Sequence, residues 1–455
     1  MDKKAQLSAS IVAGLAAFLA PFMGSAVNIA LPAIGRRFGA DPVILGWVAT
    51  VYLLAAAVFL VPFGRLADIY GRKKIFLIGI SLYTISSLLT ALAPSILALI
   101  GFRVLQGFGA AMIFGTAIAI LTSVFPPGER GKALGINTAA VYLGLSLGPV
   151  LGGWLTQQFG WRSIFLFNIP LGLIIVVLVL WTLDDEWAEA GGESFDLGGS
   201  ILYGLALVGI MLGFSRLPHL LGVCLLLAGL ALVCGFACWE RRTASPILNL
   251  NLFRMNRVFA FSNLAALINY SATFAVGFFV SLYLQYVKGM NPQHAGFILI
   301  SQPAVMALFS PLAGRSSDKI EPRYVASIGM ALSSAGLFLL AFLRASSALA
   351  FVVGSLALLG FGFALFSSPN TNAVMSSVEK RFYGVASATL GTMRLVGQMF
   401  SMGMAMMIFA VLVGRVQITP SNQADFLRAI RTGFMIFAAL CFLGVFASLA
   451  RGNRK

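Results

Sequence analysis

The sequence is short of charge. Only 10% of its 455 residues are charged, against about 25% in a typical soluble domain, while 59% are hydrophobic and the mean hydropathy is +0.93. Such a chain would expose large apolar patches in water, which excludes a soluble enzyme and a nucleic-acid-binding module. Histidine occurs twice, and the four cysteines lie in apolar stretches without metal-ligand spacing. These scarcities exclude zinc, haem and iron–sulfur sites and a disulfide scaffold.

The sequence contains long apolar runs instead. About 20 apolar residues are needed to cross the hydrocarbon core of a bilayer as a helix. Fourteen runs of roughly this length occur, at residues 11–31, 46–63, 75–94, 97–121, 134–156, 163–183, 198–215, 219–239, 258–286, 295–314, 323–343, 346–370, 384–413 and 427–449. We therefore predict an all-α integral membrane protein with fourteen transmembrane helices.

The positive charge is distributed unevenly between the connecting segments. The net charge is +16, and most of the 31 basic residues lie on the side of the membrane that carries Lys3 and Lys4. Cytoplasmic loops of membrane proteins are enriched in lysine and arginine. This asymmetry predicts a multi-pass protein of the cell (plasma or inner) membrane with both termini in the cytoplasm.

Two loops of the chain resemble each other. Residues 64–74 read GRLADIYGRKK and residues 314–323 read GRSSDKIEPR, 250 positions later. A duplicated unit of six helices, with two helices inserted between the copies, accounts for this spacing. We predict a six-helix bundle at 1–183, a linker with two inserted helices at 184–257, and a second six-helix bundle at 258–455. Repeated halves are typical of secondary transporters, whose substrate site lies between the halves near mid-membrane.

Four segments resemble motifs of the major facilitator superfamily. Residues 64–74 are similar to its loop between helices 2 and 3, 103–107 (RVLQG) to its helix 4 motif, and 144–153 (GLSLGPVLGG) to its antiporter helix 5 motif. Residues 27–32 (VNIALP) resemble the end of helix 1 in the fourteen-helix drug:proton antiporter branch. This resemblance implies the major facilitator fold, two six-helix bundles with two extra helices inserted between them.

The resemblance also implies an activity. It predicts a secondary active transporter that exports small amphipathic compounds or drugs by alternating access, with a proton gradient as the candidate energy source and no bound cofactor. The partners are the substrate and the lipid bilayer, without nucleic acid, and the protein is expected to be a monomer and not an enzyme. The alternative is an uncoupled facilitator, or a metabolite or organic-anion transporter on the same fold. A non-transporting receptor or scaffold is a further alternative.

In the first of the two similar loops, glycines flank an aspartate and a basic residue. The resemblance implies a latch that holds the cytoplasmic side shut in the outward-facing state, formed by Gly64, Asp68, Gly71 and Arg72 together with Asp318 of the second loop. An ordinary charged turn that fixes topology is the alternative interpretation.

A stripe of small residues runs along helix 5. Gly144, Gly148 and Gly152 are spaced four apart, which places them on one face, and Pro149 bends the helix beside them. The stripe indicates either a tight interface between the two halves with a role in coupling, or generic helix packing.

Two arginines lie inside the apolar spans. An arginine at the bilayer centre costs at least about 2.5–3.5 kcal/mol, so Arg103 and Arg394 should face the protein interior or a watery cavity. Each carries a glutamine one turn later, Gln106 and Gln398. The resemblance implies coupling of protons or substrate by Arg103, and hydrogen bonding to a neighbouring helix is the alternative. The candidate cavity residues are Asn28, Tyr52, Asn137, Asn269, Gln285, Gln302, Arg394 and Gln398.

None of the fifteen acidic residues falls in the middle of a predicted span. By the resemblance an aspartate is expected near the end of helix 1, and the aligned position is Met23. A cationic drug would find no buried counter-charge, so the cavity should favour neutral, zwitterionic or anionic amphiphiles near the two arginines. Proton coupling must then use an acid at the membrane interface, such as Asp68 or Asp41, or be absent.

Overall fold

The computed structural model consists of helices and short connections, with no β-strand among the residues it describes. These are residues 3–126, 130–183, 186–188, 192, 195–243, 247, 250–379 and 383–452. Within them, fourteen helical segments are long and apolar enough to span a membrane, which confirms the prediction from hydropathy.

The structure contains eighteen α-helices among the described residues. The first seven are α1 (Lys3–Phe38), α2 (Pro42–Tyr70), α3 (Arg72–Ala91), α4 (Ile96–Val124), α5 (Arg130–Phe159), α6 (Ser163–Leu166) and α7 (Asn168–Thr182). The next three are α8 (Leu197–Arg216), α9 (Leu220–Glu240) and α10 (Leu250–Met255). The last eight are α11 (Arg257–Thr273), α12 (Val276–Leu282), α13 (Pro292–Leu299), α14 (Ser301–Lys319), α15 (Pro322–Leu340), α16 (Leu349–Ser376), α17 (Tyr383–Leu412) and α18 (Gln423–Leu449).

Polar residues set the ends of these helices. Asp41 caps α2, because its carboxylate accepts hydrogen bonds from the backbone N–H groups of Val43 and Ile44 at 2.8 and 2.9 Å. Pro42 follows at the first helical position, where its missing N–H carries no cost. Most helices extend beyond the apolar runs, since backbone bonding continues into the polar residues at the membrane interface.

Three spans consist of more than one helical element. The sixth span is α6 followed by α7, and the tenth is α13 followed by α14. The ninth runs from α11 through α12 into a π-helical turn at Tyr283–Val287. Hydropathy did not predict these interruptions, because it measures the apolar content of about 20 residues and not local breaks in the backbone hydrogen bonding.

The helices pack as two bundles, α1–α7 and α11–α18. We call the end of the molecule where α1 begins and α18 ends the termini face, and the opposite end the far face. A single apolar core near the far face includes Ile29 and Leu31 of α1 together with Phe278 and Phe279 of α12. The two bundles are therefore packed against each other at the far face.

The inserted pair α8–α9 forms a helical hairpin that contacts both bundles. The hydroxyl of Tyr203 in α8 donates a hydrogen bond to the carbonyl oxygen of Ala57 in α2 at 3.1 Å. At the other end of α8, the guanidinium of Arg415, just beyond α17, donates to the carbonyl oxygen of Ser215 at 2.7 Å. The helix α8 thus crosses the junction between α2 of one bundle and α17 of the other.

Candidate functional site

The seam between the bundles is closed at the far face by hydrogen bonds. The hydroxyl of Ser281 in α12 donates to the carbonyl oxygen of Asn28 in α1 at 2.6 Å. The side-chain amide of Gln285 donates to the carbonyl oxygen of Ile29 at 3.0 Å and to the Ser281 hydroxyl at 3.1 Å. Asn28 and Gln285, which were predicted to line the cavity, therefore belong to the closed part of the seam.

A second closure joins α5 to α13. A Cβ added at Gly296 would lie 2.2 Å from the carbonyl oxygen of Pro149, and one added at Gly153 would lie 2.5 Å from the carbonyl oxygen of Pro292. Closer to the termini face the same helix is uncovered, since a Cβ at Gly135 would meet nothing within 4 Å. The α5 side of the seam is closed in its far half and open in its termini half.

The helix α17 presents Arg394 and Gln398 to this seam. Successive residues of a helix are rotated by about 100°. Gly397 packs against α11, Gly391 faces α2 and Gly403 packs against α8. Both polar side chains project between the α11 side and the α2 side, that is, between the two bundles and away from α8. Each is half-buried, in a stretch where the neighbouring positions are apolar.

Arg394 lies at mid-membrane beside an aromatic pair. It is the twelfth residue of α17, about 17 Å along the helix from its first residue at about 1.5 Å per residue. Its guanidinium carbon lies 5.9 Å from the ring centroid of Tyr270, whose ring contacts that of Phe363 edge-on at 5.4 Å. Sequence reasoning missed Tyr270, although it follows the predicted Asn269 directly.

Arg103 has the opposite environment. It is only 1% exposed and lies inside the first bundle between α2, α3 and α4. Its guanidinium donates to the carbonyl oxygen of Val48 at 3.1 Å and to the side-chain oxygen of Gln106 at 2.6 Å, and it sits 4.5 Å from the Tyr52 ring centroid. The structure supports the structural interpretation of Arg103, and Tyr52 lies beneath it and outside the seam.

The sequence model of the Major Facilitator Superfamily matches residues 13–198 and 262–455, which is most of both bundles. The chain belongs to the Major Facilitator Superfamily.

Relatives of this superfamily member cover nearly its whole length. It is 31% identical over 440 residues to the riboflavin transporter RibZ of Clostridioides difficile, covering 96% of this chain and 95% of that protein. It is 34% identical over 400 residues to the multidrug resistance protein Stp of Mycobacterium tuberculosis, covering 87% and 74%. The cephamycin export protein CmcT of Amycolatopsis lactamdurans is 33% identical over 411 residues, covering 88% and 84%.

Solved structures share the fold. The D-xylose-proton symporter superposes with a TM-score of 0.69 at 15% identity and covers 97% of each chain. A bacterial homolog of the human lysosomal transporter Spinster superposes with a TM-score of 0.68 at 19% identity over both full lengths. This superfamily member is a transmembrane transporter.

The glycine stripe of this transporter lies within one bundle. A Cβ at Gly144 would lie 2.5 Å from the carbonyl oxygen of Phe18, one at Gly148 would lie 2.9 Å from that of Phe22, and one at Gly152 would collide with α1 in the same way. The interpretation of the stripe as an interface between the halves is therefore wrong. It joins α5 to α1, and the adjacent Pro149 and Gly153 are the positions described above that reach the other bundle.

Three further cavity candidates occupy different places. Asn137 lies seven residues before Gly144, on the α1 side of α5, and is 9% exposed. Asn269 is fully buried in the second bundle, with its amide 3.9 Å from the sulfur of Cys441. Gln302 is half-buried in α14, where its carbonyl oxygen contacts α16. Asn137 and Asn269 are therefore packing residues of the bundle interiors.

The predicted latch lies at the termini face. The guanidinium of Arg72 binds the carboxylate of Asp68 at 2.8 Å and donates to the hydroxyl of Ser123 at 2.7 Å. Gly71 has φ +114°, a conformation that favours glycine, and Gly64 packs directly against α4. The side chain of Asp318 lies outside the described residues.

A part of the linker that the sequence did not single out caps this loop. The carboxylate of Glu186 accepts hydrogen bonds from the backbone N–H groups of Lys73 and Lys74 at 2.8 and 3.1 Å. The N–H of Arg72 donates to the carbonyl oxygen of Trp187 at 2.9 Å. We call Glu186 and Trp187 the linker strap. The charge complementarity between an acidic linker and the basic loop was the signal that could have located it.

The described acidic residues lie outside the middle of the spans, as predicted. Asp41 and Asp196 cap helices, Asp68 and Glu240 lie in last turns, and Asp425 lies in a first turn. The position aligned with the expected aspartate, Met23, is fully buried in the apolar core. Within the part of the chain that the structure describes, no group of acidic, histidine and cysteine residues could hold a metal ion.

Proposed function

We propose that this transporter exports small amphipathic compounds by alternating access, with the termini face in the cytoplasm. The observation that carries the proposal is the seam, which is closed by hydrogen bonds at the far face and is open on the α5 side at Gly135 near the termini face, with Arg394 and Gln398 half-buried between the two ends. In that orientation the structure is an inward-open state, which loads its substrate from the cytoplasm and the inner leaflet. The relatives named for multidrug resistance and cephamycin export support the direction of transport.

The transport step consists of exchanging one closure for the other. The far-face hydrogen bonds of Ser281 and Gln285 must break, and the termini-face halves of the bundles must approach each other. The Asp68–Arg72 pair then lies at the closing edge, where it would serve as the latch. The chain acts as a monomer in the bilayer, without nucleic acid and without catalytic activity of its own.

A proton gradient is the proposed energy source. The described acids lie at helix ends, so a proton would be exchanged at the membrane interface, at Asp68 or Asp41, rather than against substrate at mid-membrane. Proton flux on addition of substrate to proteoliposomes tests this proposal, and substrate movement without proton flux makes the protein an uncoupled facilitator.

The riboflavin transporter relative favours a second candidate, a metabolite transporter on the same fold. It spans nearly all of this chain, so the whole architecture is compatible with that activity. Movement of riboflavin, with no movement of drug-like compounds, would favour this candidate.

The test is a transport assay that can be switched off. The four native cysteines are first replaced by serine or alanine. Asn28→Cys and Ser281→Cys are then introduced into this background. Oxidation ties α1 to α12 and should stop efflux of a panel of neutral, anionic and cationic dyes from proteoliposomes, and reduction should restore it. Efflux that continues after complete cross-linking would overturn alternating access through this seam.

A further inference from the structure

The two intramembrane arginines differ in whether their charge is already satisfied. Arg103 is enclosed by a carbonyl oxygen, a glutamine and a tyrosine ring, so its charge is solvated by the protein. Arg394 is half-buried, and its one recorded contact among the described residues is the Tyr270 ring at 5.9 Å. The guanidinium of Arg394 therefore makes no hydrogen bond to another described residue, and its donors are available to a ligand in the seam.

The surroundings of Arg394 are apolar and aromatic on one side and polar on the other. The Tyr270 and Phe363 rings form an edge-to-face pair beside the guanidinium. Gln398 lies one turn along α17 and projects in nearly the same direction. A flat apolar group could pack on the half-buried ring of Tyr270, which the buried ring of Phe363 supports, while a negative group accepts the guanidinium hydrogen bonds.

The charge balance of the spans favours one sign of ligand. The described acids lie at helix ends or in connecting segments, so an incoming cation meets the uncompensated charge of Arg394 with no described carboxylate at the same depth. Charges at mid-membrane are weakly screened, because the surrounding dielectric is low. An anion neutralises Arg394, whereas a cation is repelled by it.

We infer that the compounds this transporter carries are amphipathic organic anions, and that Arg394 binds their carboxylate while the ring of Tyr270, supported from behind by the buried Phe363, binds the aromatic part. The inference deepens the proposed function and rests on it. Arg103 has no part in substrate binding. A guanidinium binds a carboxylate through two parallel hydrogen bonds, which lysine cannot reproduce.

The test uses three ligands that share one ring system and differ in charge. These are 2-naphthoate, 2-naphthamide and 2-naphthylmethylammonium, and their binding to the whole protein is measured by calorimetry in phosphatidylcholine nanodiscs. Empty nanodiscs correct for partition into lipid. The wild-type protein should bind the naphthoate at least about tenfold more tightly than the amide, a difference of about 1.4 kcal/mol, and the cation most weakly.

The variants identify the residue. Arg394→Gln should weaken naphthoate binding about tenfold or more and leave naphthamide binding within about twofold, which also shows that the variant is folded. Arg394→Lys should have an intermediate effect. Arg428→Gln is the matched control, since Arg428 is exposed on the outside of α18, and it should leave all three affinities unchanged.

Two results would overturn the inference. One is tighter binding of the cation than of the naphthoate by the wild-type protein. This result does not depend on the folding of any variant. The other is unchanged naphthoate affinity in Arg394→Gln. Transport of the same compounds in proteoliposomes separates the two proposals. Naphthoate binding that depends on Arg394, without transport, contradicts export. Transport of the cation at the same rate in the wild-type protein and in Arg394→Gln contradicts the anion site.

Discussion

The region around Arg103 and the region around Arg394 contain the same chemistry and serve different ends. Each has an arginine at mid-span, a glutamine one turn away and a tyrosine ring nearby. In the first bundle these groups bind one another and are sealed from the seam. In the second bundle the arginine and glutamine face the seam, and neither side chain makes a hydrogen bond to another residue that the structure describes. The same residue types therefore stabilise one region and recognise a ligand in the other. The role of each arginine depends on whether the protein itself supplies a hydrogen-bond partner for it.

The largest expected effect tests this contrast in stability. Arg103→Ala leaves Gln106 and the Val48 carbonyl without their partner and opens a cavity, so we expect a loss of about 2–5 kcal/mol in the free energy of unfolding. Arg394→Ala should cost less than about 1 kcal/mol, because no described hydrogen bond is lost. Thermal unfolding of both variants in the same detergent is the measurement. Equal losses would show that the two regions do not differ as described.

Two glycines of the first bundle differ in how closely a neighbouring helix approaches them. Gly144→Ala pushes a Cβ to 2.5 Å from the Phe18 carbonyl oxygen, so a destabilisation of about 1–3 kcal/mol is expected. Gly24 is a matched control on α1, since a Cβ there meets nothing within 4 Å, and Gly24→Ala should be neutral or slightly stabilising. The melting temperatures of the pair decide, and a loss at Gly24 as large as that at Gly144 would contradict the assignment.

A smaller effect is expected in the equilibrium between states. Ser281→Ala removes one far-face hydrogen bond, worth about 0.5–1.5 kcal/mol, and should raise the population that is open at the far face by roughly two- to twelvefold. Ser271→Ala is the control, because its hydroxyl bonds only to its own helix, at Leu267. The measurement is the rate at which a membrane-impermeant maleimide labels Asn28→Cys in the background without native cysteines. Equal rates in the two serine variants would remove Ser281 from the closure.

The smallest expected effect concerns the linker strap. Glu186→Ala removes the acceptor for the Lys73 and Lys74 N–H groups, and loss of such a cap costs about 0.5–2 kcal/mol locally. Hydrogen exchange at these two amides should accelerate, while the first turn of α15 serves as the unchanged reference within the same molecule. Unchanged exchange at α3 would show that the strap does not hold the loop.

The membrane spans could be predicted because hydropathy is a property of the chain alone. The fourteen helices follow from apolar runs, and the position of the acids at helix ends follows from the same reading. The direction in which a residue faces could not be predicted in the same way, because it depends on which helices lie on either side. Asn269 and Arg394 both occur as polar residues in apolar spans, yet one is enclosed by α18 and the other faces the seam.

The same limit explains the other corrections. The glycines of α5 have the spacing of a close-packing stripe, but nothing in the sequence tells whether the partner is α1 or a helix of the other bundle. Gln285 is polar like Gln398, and its role in the far-face closure depends on the backbone of α1, which has no side-chain signature. The linker strap pairs residues more than a hundred positions apart, which no local pattern encodes.

The hairpin α8–α9 has a consequence for compounds dissolved in the bilayer. A transporter of two bundles has two lateral openings through which a molecule could enter from the lipid. One lies between α2 and α17, and the other lies between α5 and α14. Because α8 lies across the first lateral opening and is hydrogen-bonded at both of its edges, lateral entry from the lipid is restricted to the second opening. A lipid-dissolved compound would then enter the seam from the α5 and α14 side only.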